Sequence, residues 1–131
     1  MPSDPATSPP LGILLISGTH ERAHYAFMVA AGAAAMRRAV VVFATNDGCR
    51  ALMADWSALE DSGRDAAVRL RGVAGLGELR DASTELGARL LACESGLRLS
   101  ALDRAQLSPG VEVAGIATFL DAVAGGQVVT L

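Results

Sequence analysis

ARLLACESGLRL, residues 88–99, decides how this chain reads. Ala88-Arg89-Leu90-Leu91-Ala92 is a short apolar run of strand length, and Glu94-Ser95-Gly96-Leu97-Arg98 opens a helix-like segment that continues to about Leu102. Cys93 stands at the junction. A thiol at the carboxyl end of a strand and the amino end of a helix faces unpaired backbone N–H groups and the positive end of the helix dipole. That setting favours thiolate over thiol, and the thiolate is the reactive species. The bland alternative is a small buried hydrophobe at a strand end, which is common for free cysteine.

Strand–helix junctions of this kind recur outward from residue 88. Leu11 to Ser17 is a continuous apolar run, as expected of a strand buried on both faces. Thr19 can N-cap a helix with Glu21 in its first turn, running to about Arg38. After Tyr25 that helix is apolar nearly all round, so it is expected to be deeply buried or covered by another subunit. Ala39 to Thr45 is a second strand. Asn46-Asp47-Gly48 then turns the chain into a short helix around Cys49 to Trp56. Residues 57–74 lack a convincing period and read as a mobile loop with room for one helical turn. Leu76, Leu79, Ser83 and Leu86 follow helical spacing, with Gly87 as the stop. Past the 88–102 segment, Asp103 and Gln106 resemble a capping box, and Ser108-Pro109-Gly110 breaks the chain. Val111 to Ala114 and Gln127 to Leu131 read as strands four and five, with a helix from Ile116 to Ala124 between them.

Alternating strands and helices imply an α/β fold with helices on both faces of a mostly parallel sheet. The expectation is a three-layer α/β/α sandwich on five strands, flavodoxin-like in general form. It forms a single domain over residues 11–131, with residues 1–10 as a disordered leader. In such a sheet all strand carboxyl ends share one edge, where ligands bind. Ser17-Gly18-Thr19-His20, Thr45 to Cys49, Cys93-Glu94-Ser95 and Gly115 are therefore expected on one rim.

Composition limits the function classes. Apolar residues make up 51% of 131 and aromatic residues only 4%, so the core must come from Ala, Val, Leu and Ile. The net charge is −3, and all 11 basic residues are scattered arginines. Direct nucleic-acid binding and anionic-membrane binding are both disfavoured. No apolar stretch is long enough for a membrane span, and the start lacks the basic n-region of a signal peptide. A cytoplasmic, reducing location is expected, where two cysteines stay reactive or inert rather than bridged.

Cys49, just past strand two, is a candidate to resolve a disulfide or accept sulphur from Cys93; turned inward, it is plain core. His20 and His24 share a helix face, but two ligands do not make a metal site, so no metal and no cofactor is implied. His20 lies near the rim, placed to assist proton transfer or to favour a thiolate; otherwise the pair are surface histidines. Glu94 opposes a thiolate if it points inward. The segment Cys93 to Arg98 also fits C-x-x-G-x-R, which resembles the active-site loop of rhodanese-type sulfurtransferases. The continuing leucines Leu97, Leu99 and Leu102 argue for a helix there instead of a looped cradle.

The runs Leu91 to Leu99 and Pro109 to Leu120, with the Ala-Cys-Glu junction and Gly110-Val111-Glu112-Val113-Ala114-Gly115 as their specific parts, resemble the DsrE/DsrF-like family, more narrowly its peroxiredoxin-like branch. The resemblance covers residues 11–131 in order. It implies a persulfide carried on Cys93 and sulphur donor and acceptor proteins as partners. It also implies a homo-oligomer, a trimer first, with a dimer or hexamer as alternatives. The expected function is a sulphur carrier or sulfurtransferase-like protein, with Thr19, His20, Asn46, Asp47, Cys49, Glu94 and Ser95 shaping the pocket. The alternatives are an oligomeric binding module without chemistry and a thiol redox protein using Cys93 and Cys49.

Overall fold

The computed structural model describes residues 8–131. In chain order the elements are β1 (Leu11–Leu15), α1 (His20–Ala35), β2 (Val40–Ala44), α2 (Arg64–Leu70), α3 (Leu76–Glu85), β3 (Arg89–Cys93), α4 (Glu94–Leu99), β4 (Glu112–Ala114), α5 (Ile116–Ala122) and β5 (Gln127–Thr130). Two 3-10 turns, Asn46–Leu52 and Arg104–Gln106, join them. The strands form one sheet in the order β4-β3-β2-β1-β5, every neighbouring pair parallel. This is the expected α/β class.

The strand order explains how the helices are distributed. From β1 to β4 each crossover steps the same way across the sheet. The connection from β4 to β5 returns over the whole sheet to the far edge. Right-handed crossovers therefore put α1, α3 and α4 on one face and α5 alone on the other. The buried residues divide the same way. Ile13, Val42, Ala92, Phe27, Leu76 and Leu97 belong to the core under α1 and α3. Val41, Phe43, Leu91, Cys93, Phe119 and Val123 form the smaller core under α5.

Helix α1 is buried by its own chain. Thr19 caps it, accepting from the Arg22 N–H, and α3 packs along its length, where the Ser83 hydroxyl, which donates to the Leu79 carbonyl of its own helix at 2.7 Å, lies 3.4 Å from the Phe27 carbonyl. Its outer stripe carries exposed Glu21, Arg22, Tyr25 and Met36.

Several boundaries differ from the sequence reading: β1 stops at Leu15 instead of Ser17, and the short helix expected around Cys49 to Trp56 is the 3-10 turn Asn46–Leu52. Helix α1 ends at Ala35, short of Arg38, and α4 ends at Leu99, short of Leu102. In both, a residue with positive φ (Arg37 at 65°, Ala101 at 53°) turns the chain so that the next N–H closes on a carbonyl five residues back, Arg38 to Ala33 and Leu102 to Leu97. A further difference is α2, a true helix inside the expected loop. Of the leader expected over 1–10, residues 1–7 lie outside the described residues, whereas the Pro10 carbonyl accepts the Gln127 N–H beside β5. No helix among the described residues is long and apolar enough to cross a membrane.

Candidate functional site

Adjacent strands whose carboxyl-end connections leave toward opposite faces open a crevice between them, and this is where parallel sheets bind ligands. Here that place lies between β3, which runs into α4, and β4, which runs through Gly115 into α5. Cys93 and Ala114 are the paired last residues of those two strands. The thiol therefore sits at the one position that topology marks out before any side chain is considered.

Cys93 is both the end of β3 and the N-cap of α4, and its sulphur accepts the Gly96 N–H at 3.3 Å. Sulphur takes the place of the usual capping oxygen at the first turn of α4. Gly96 is required by packing. A Cβ there would run into the Asn46 backbone nitrogen and lie 2.7 Å from the Thr45 hydroxyl, so α4 rests directly on the chain leaving β2. The thiol is buried, with 7% of its surface exposed.

Cys49 has a different character. It is fully buried in the core of the opposite face, and its S–H donates to the Ala44 carbonyl at 3.3 Å. Burial pushes its pKa from 9.0 to about 11. The Cys93 backbone N–H hydrogen-bonds the Cys49 sulphur and pulls the other way without prevailing, while charge on Cys93 or Asp47 adds to the rise. At neutral pH Cys49 is a protonated, inert thiol. Both cysteines are free.

The other expected pocket residues separate into two groups. Asn46 and Asp47 lie beside α4, where Asp47 accepts the Ser100 hydroxyl at 2.8 Å and faces Arg50 at 3.6 Å. Glu94 and Ser95 are exposed on the first turn of α4. The Glu94 carboxylate turns outward to Arg98 at 3.3 Å and Arg104 at 3.8 Å. Arg98 is thereby committed to the outside of a helix, so C-x-x-G-x-R does not fold into a rhodanese-like cradle here.

His20 belongs to a second centre. Strand β2 lies between β1, which leads to His20, and β3, which ends at Cys93. The imidazole is fully buried. Its Nε2 meets Asp65 Oδ1 at 2.8 Å and its Nδ1 meets the Arg64 guanidinium at 3.3 Å. Asp65 as carboxylate only accepts and Arg64 only donates, so Nε2 carries the hydrogen and Nδ1 accepts. Both ring nitrogens are thus used inside this cluster. His24 stacks on His20 with centroids 5.5 Å apart, and its Nε2 donates to the Ala74 carbonyl. Desolvation pushes the Asp65 carboxyl up, but the Leu76 N–H and His20 outweigh it, and the net shift is downward. These contacts tie α2 and the start of α3 to α1. Buried histidines were not the expectation from sequence. Asp65 and Arg64, 45 and 44 residues away, carry no local signal that would have paired them with His20. Thr19, with the Ser17 hydroxyl beside it, is covered by the segment at Glu60.

No family model matches the chain, and no curated protein matches its sequence. Solved structures do share its fold. The ychN protein from E. coli superposes with a TM-score of 0.72 at 12% identity, over 95% of this chain and all of that one. A protein of unknown function, MTH1491 from Methanobacterium thermoautotrophicum, superposes with a TM-score of 0.64 at 19% identity, again over 95% of this chain and all of that one. At these identities the likeness concerns the fold, and it extends over nearly the whole domain.

Proposed function

We propose that this chain is a DsrE/DsrF-like sulphur carrier that holds a persulfide on Cys93 for intracellular sulphur relay. The observation that carries the reading is a thiol at the β3–β4 switch point that accepts a helix-terminal N–H. The Cys93 thiolate attacks the outer sulphur of a donor persulfide, R–S–SH. A new S–S bond forms to Cys93, the donor S–S bond breaks, R–S⁻ leaves, and the proton stays on the transferred sulphur. An acceptor thiolate then takes that sulphur and regenerates the Cys93 thiolate, so no outside oxidant or reductant enters. The N–H of Gly96 stabilises the anion at each stage. The partners of this reading are a donor and an acceptor protein, and the working form is a homo-oligomer, a trimer by the family resemblance.

The test is incubation with a small persulfide donor, trapping with an alkylating agent, and mass spectrometry of each cysteine. The expected result is one added sulphur at Cys93 and none at Cys49, lost in Cys93→Ser. A Cys93 that never gains sulphur would sink the reading. The low exposure of Cys93 favours a binding module without chemistry as the second reading, and that outcome would hand it the case.

A further inference from the structure

A carrier thiol must be reached by another sulphur, yet only 7% of Cys93 is exposed: the first turn of α4 meets its sulphur on one side, and on its own face of the sheet the cluster it belongs to is closed by one short helix. Helix α5 leaves β4 one residue past Ala114, the pairing partner of Cys93. Of its own residues only Phe119 is fully buried, and Val123, just past its end, is the second anchor. Ile116 and Leu120 are half exposed at 50% and 57%. Phe119 stacks on Phe43 of β2 with centroids 5.1 Å apart, and both rings share a cluster with Cys93. Both anchors sit in a slot that exists because residue 12 of β1 has no side chain. A Cβ on Gly12 would lie 2.8 Å from Val123 Cγ1 and 2.9 Å from Phe119 Cζ. The helix is bounded by Gly115, where a side chain would meet nothing within 4 Å, and by Gly125 with φ 77°. A segment held by two apolar anchors between two free glycines has the makings of a low-energy local opening.

We infer that Phe119, seated against Gly12, gates the Cys93 thiol: the seated helix closes the site, and withdrawal of the Phe119 anchor opens it to an incoming sulphur. Phe119 is a positioning residue in this arrangement and touches no reacting atom. The inference rests on Cys93 being the reactive thiol of the proposed carrier.

Cys49 supplies an internal control, because it is buried under the opposite face. Wild type, Phe119→Ala and Gly12→Ala are compared under native conditions by iodoacetamide alkylation, with the rates at Cys93 and Cys49 read separately by mass spectrometry. Gly12→Ala keeps every anchor side chain and only pushes the helix off its slot. Phe119→Leu replaces Phe119→Ala if the latter does not fold. The expected result is a Cys93 rate raised about tenfold or more in the variants, with the Cys49 rate unchanged. Equal rises at both cysteines would mean general loosening and would overturn the gate. So would a wild-type Cys93 that already reacts as fast as in the variants. If the variants alkylate quickly at Cys93 but take no sulphur from a persulfide donor, the gate stands and the carrier reading falls.

Discussion

Ile13, Val42 and Ala92 point to the face beneath α1, while Gly12, Phe43 and Cys93 point to the face beneath α5. The strands are the same, and only the alternation of side chains separates the two sets. The first face is closed by a sixteen-residue helix with a second helix packed along it. Polar ties reinforce it: His20 to Asp65, His24 to Ala74, and Arg80, whose buried guanidinium donates to the carbonyls of Ala51 and Met53 at 2.9 and 2.8 Å. The second face is closed by a seven-residue helix with exposed apolar residues on its outside. Packing and polar ties are therefore concentrated on one side and the thinner cover lies on the other, and each side holds one cysteine. The inert thiol is on the stable side, and the candidate reactive one is under the thin cover.

The largest effect should come from emptying the stable side. Phe27 is fully buried on α1. Phe27→Ala should cost about 3–5 kcal/mol, read as a lowered denaturant midpoint, because α3 prevents the site from collapsing. Cys93 and Cys49 should then become accessible together. If only Cys93 responded, the two faces would not be separable in the way described.

Polar contacts on that side come next. Asp65→Asn should destabilise by ~1–3 kcal/mol at neutral pH, since His20 loses its charged acceptor. The Asp65 pKa is depressed in the folded protein, so its contribution is present above the ordinary value of 3.8 and disappears as pH falls through the lower folded value. The gap between wild type and variant should close in that acid range. A gap that persisted below it would mean the charge is not what matters. Cys49 gives the alkaline counterpart. Its raised pKa means the contribution is whole below 9.0 and is lost as pH climbs toward about 11. Cys49→Ala should remove that part of the alkaline destabilisation.

Gly96→Ala tests the junction between the faces. Its new methyl must displace α4 from Thr45 and Asn46, at a cost of ~1–3 kcal/mol. It should also slow sulphur loading of Cys93 more than it slows alkylation of an unfolded control, because the N–H that Cys93 accepts moves with the helix.

The legible and illegible parts of the molecule divide along similar lines. Alternating apolar runs from Leu11 to Thr130 were enough to read five strands, the parallel sheet and the rim that carries Cys93. Gly87 marked the end of α3 because it supplies a positive φ of 101°. Arg37 and Ala101 do the same work at the ends of α1 and α4 without the residue type that announces it, so both helices read too long. Helix α2 was illegible for another reason. The residue it buries is Asp65, and its Leu70 is 88% exposed, so no apolar period runs along it. At the site, Cys93 and its helix N-terminus were visible in one dozen residues. The gate was not, because Gly12, Phe43 and Phe119 meet only once β4 has been linked back to the far edge of the sheet.

The smallest predicted effect asks how bare the second face is. Arg89 and Glu112 point to that face from β3 and β4 and form a two-pronged ion pair, at 3.1 and 3.2 Å, with both side chains about half exposed. The pair holds Glu112 below the ordinary carboxylate value and Arg89 above its own. Water and salt screen charges at such a surface, so Glu112→Gln should cost only about 0.2–1 kcal/mol, and the loss should fade in molar salt. A larger loss that ignored salt would require this end of the sheet to be dry in solution. One helix of this chain does not reach far enough to dry it, so a second copy or a partner would have to be packed over β3 and β4. The approach to Cys93 would then be set by that neighbour as well as by Phe119.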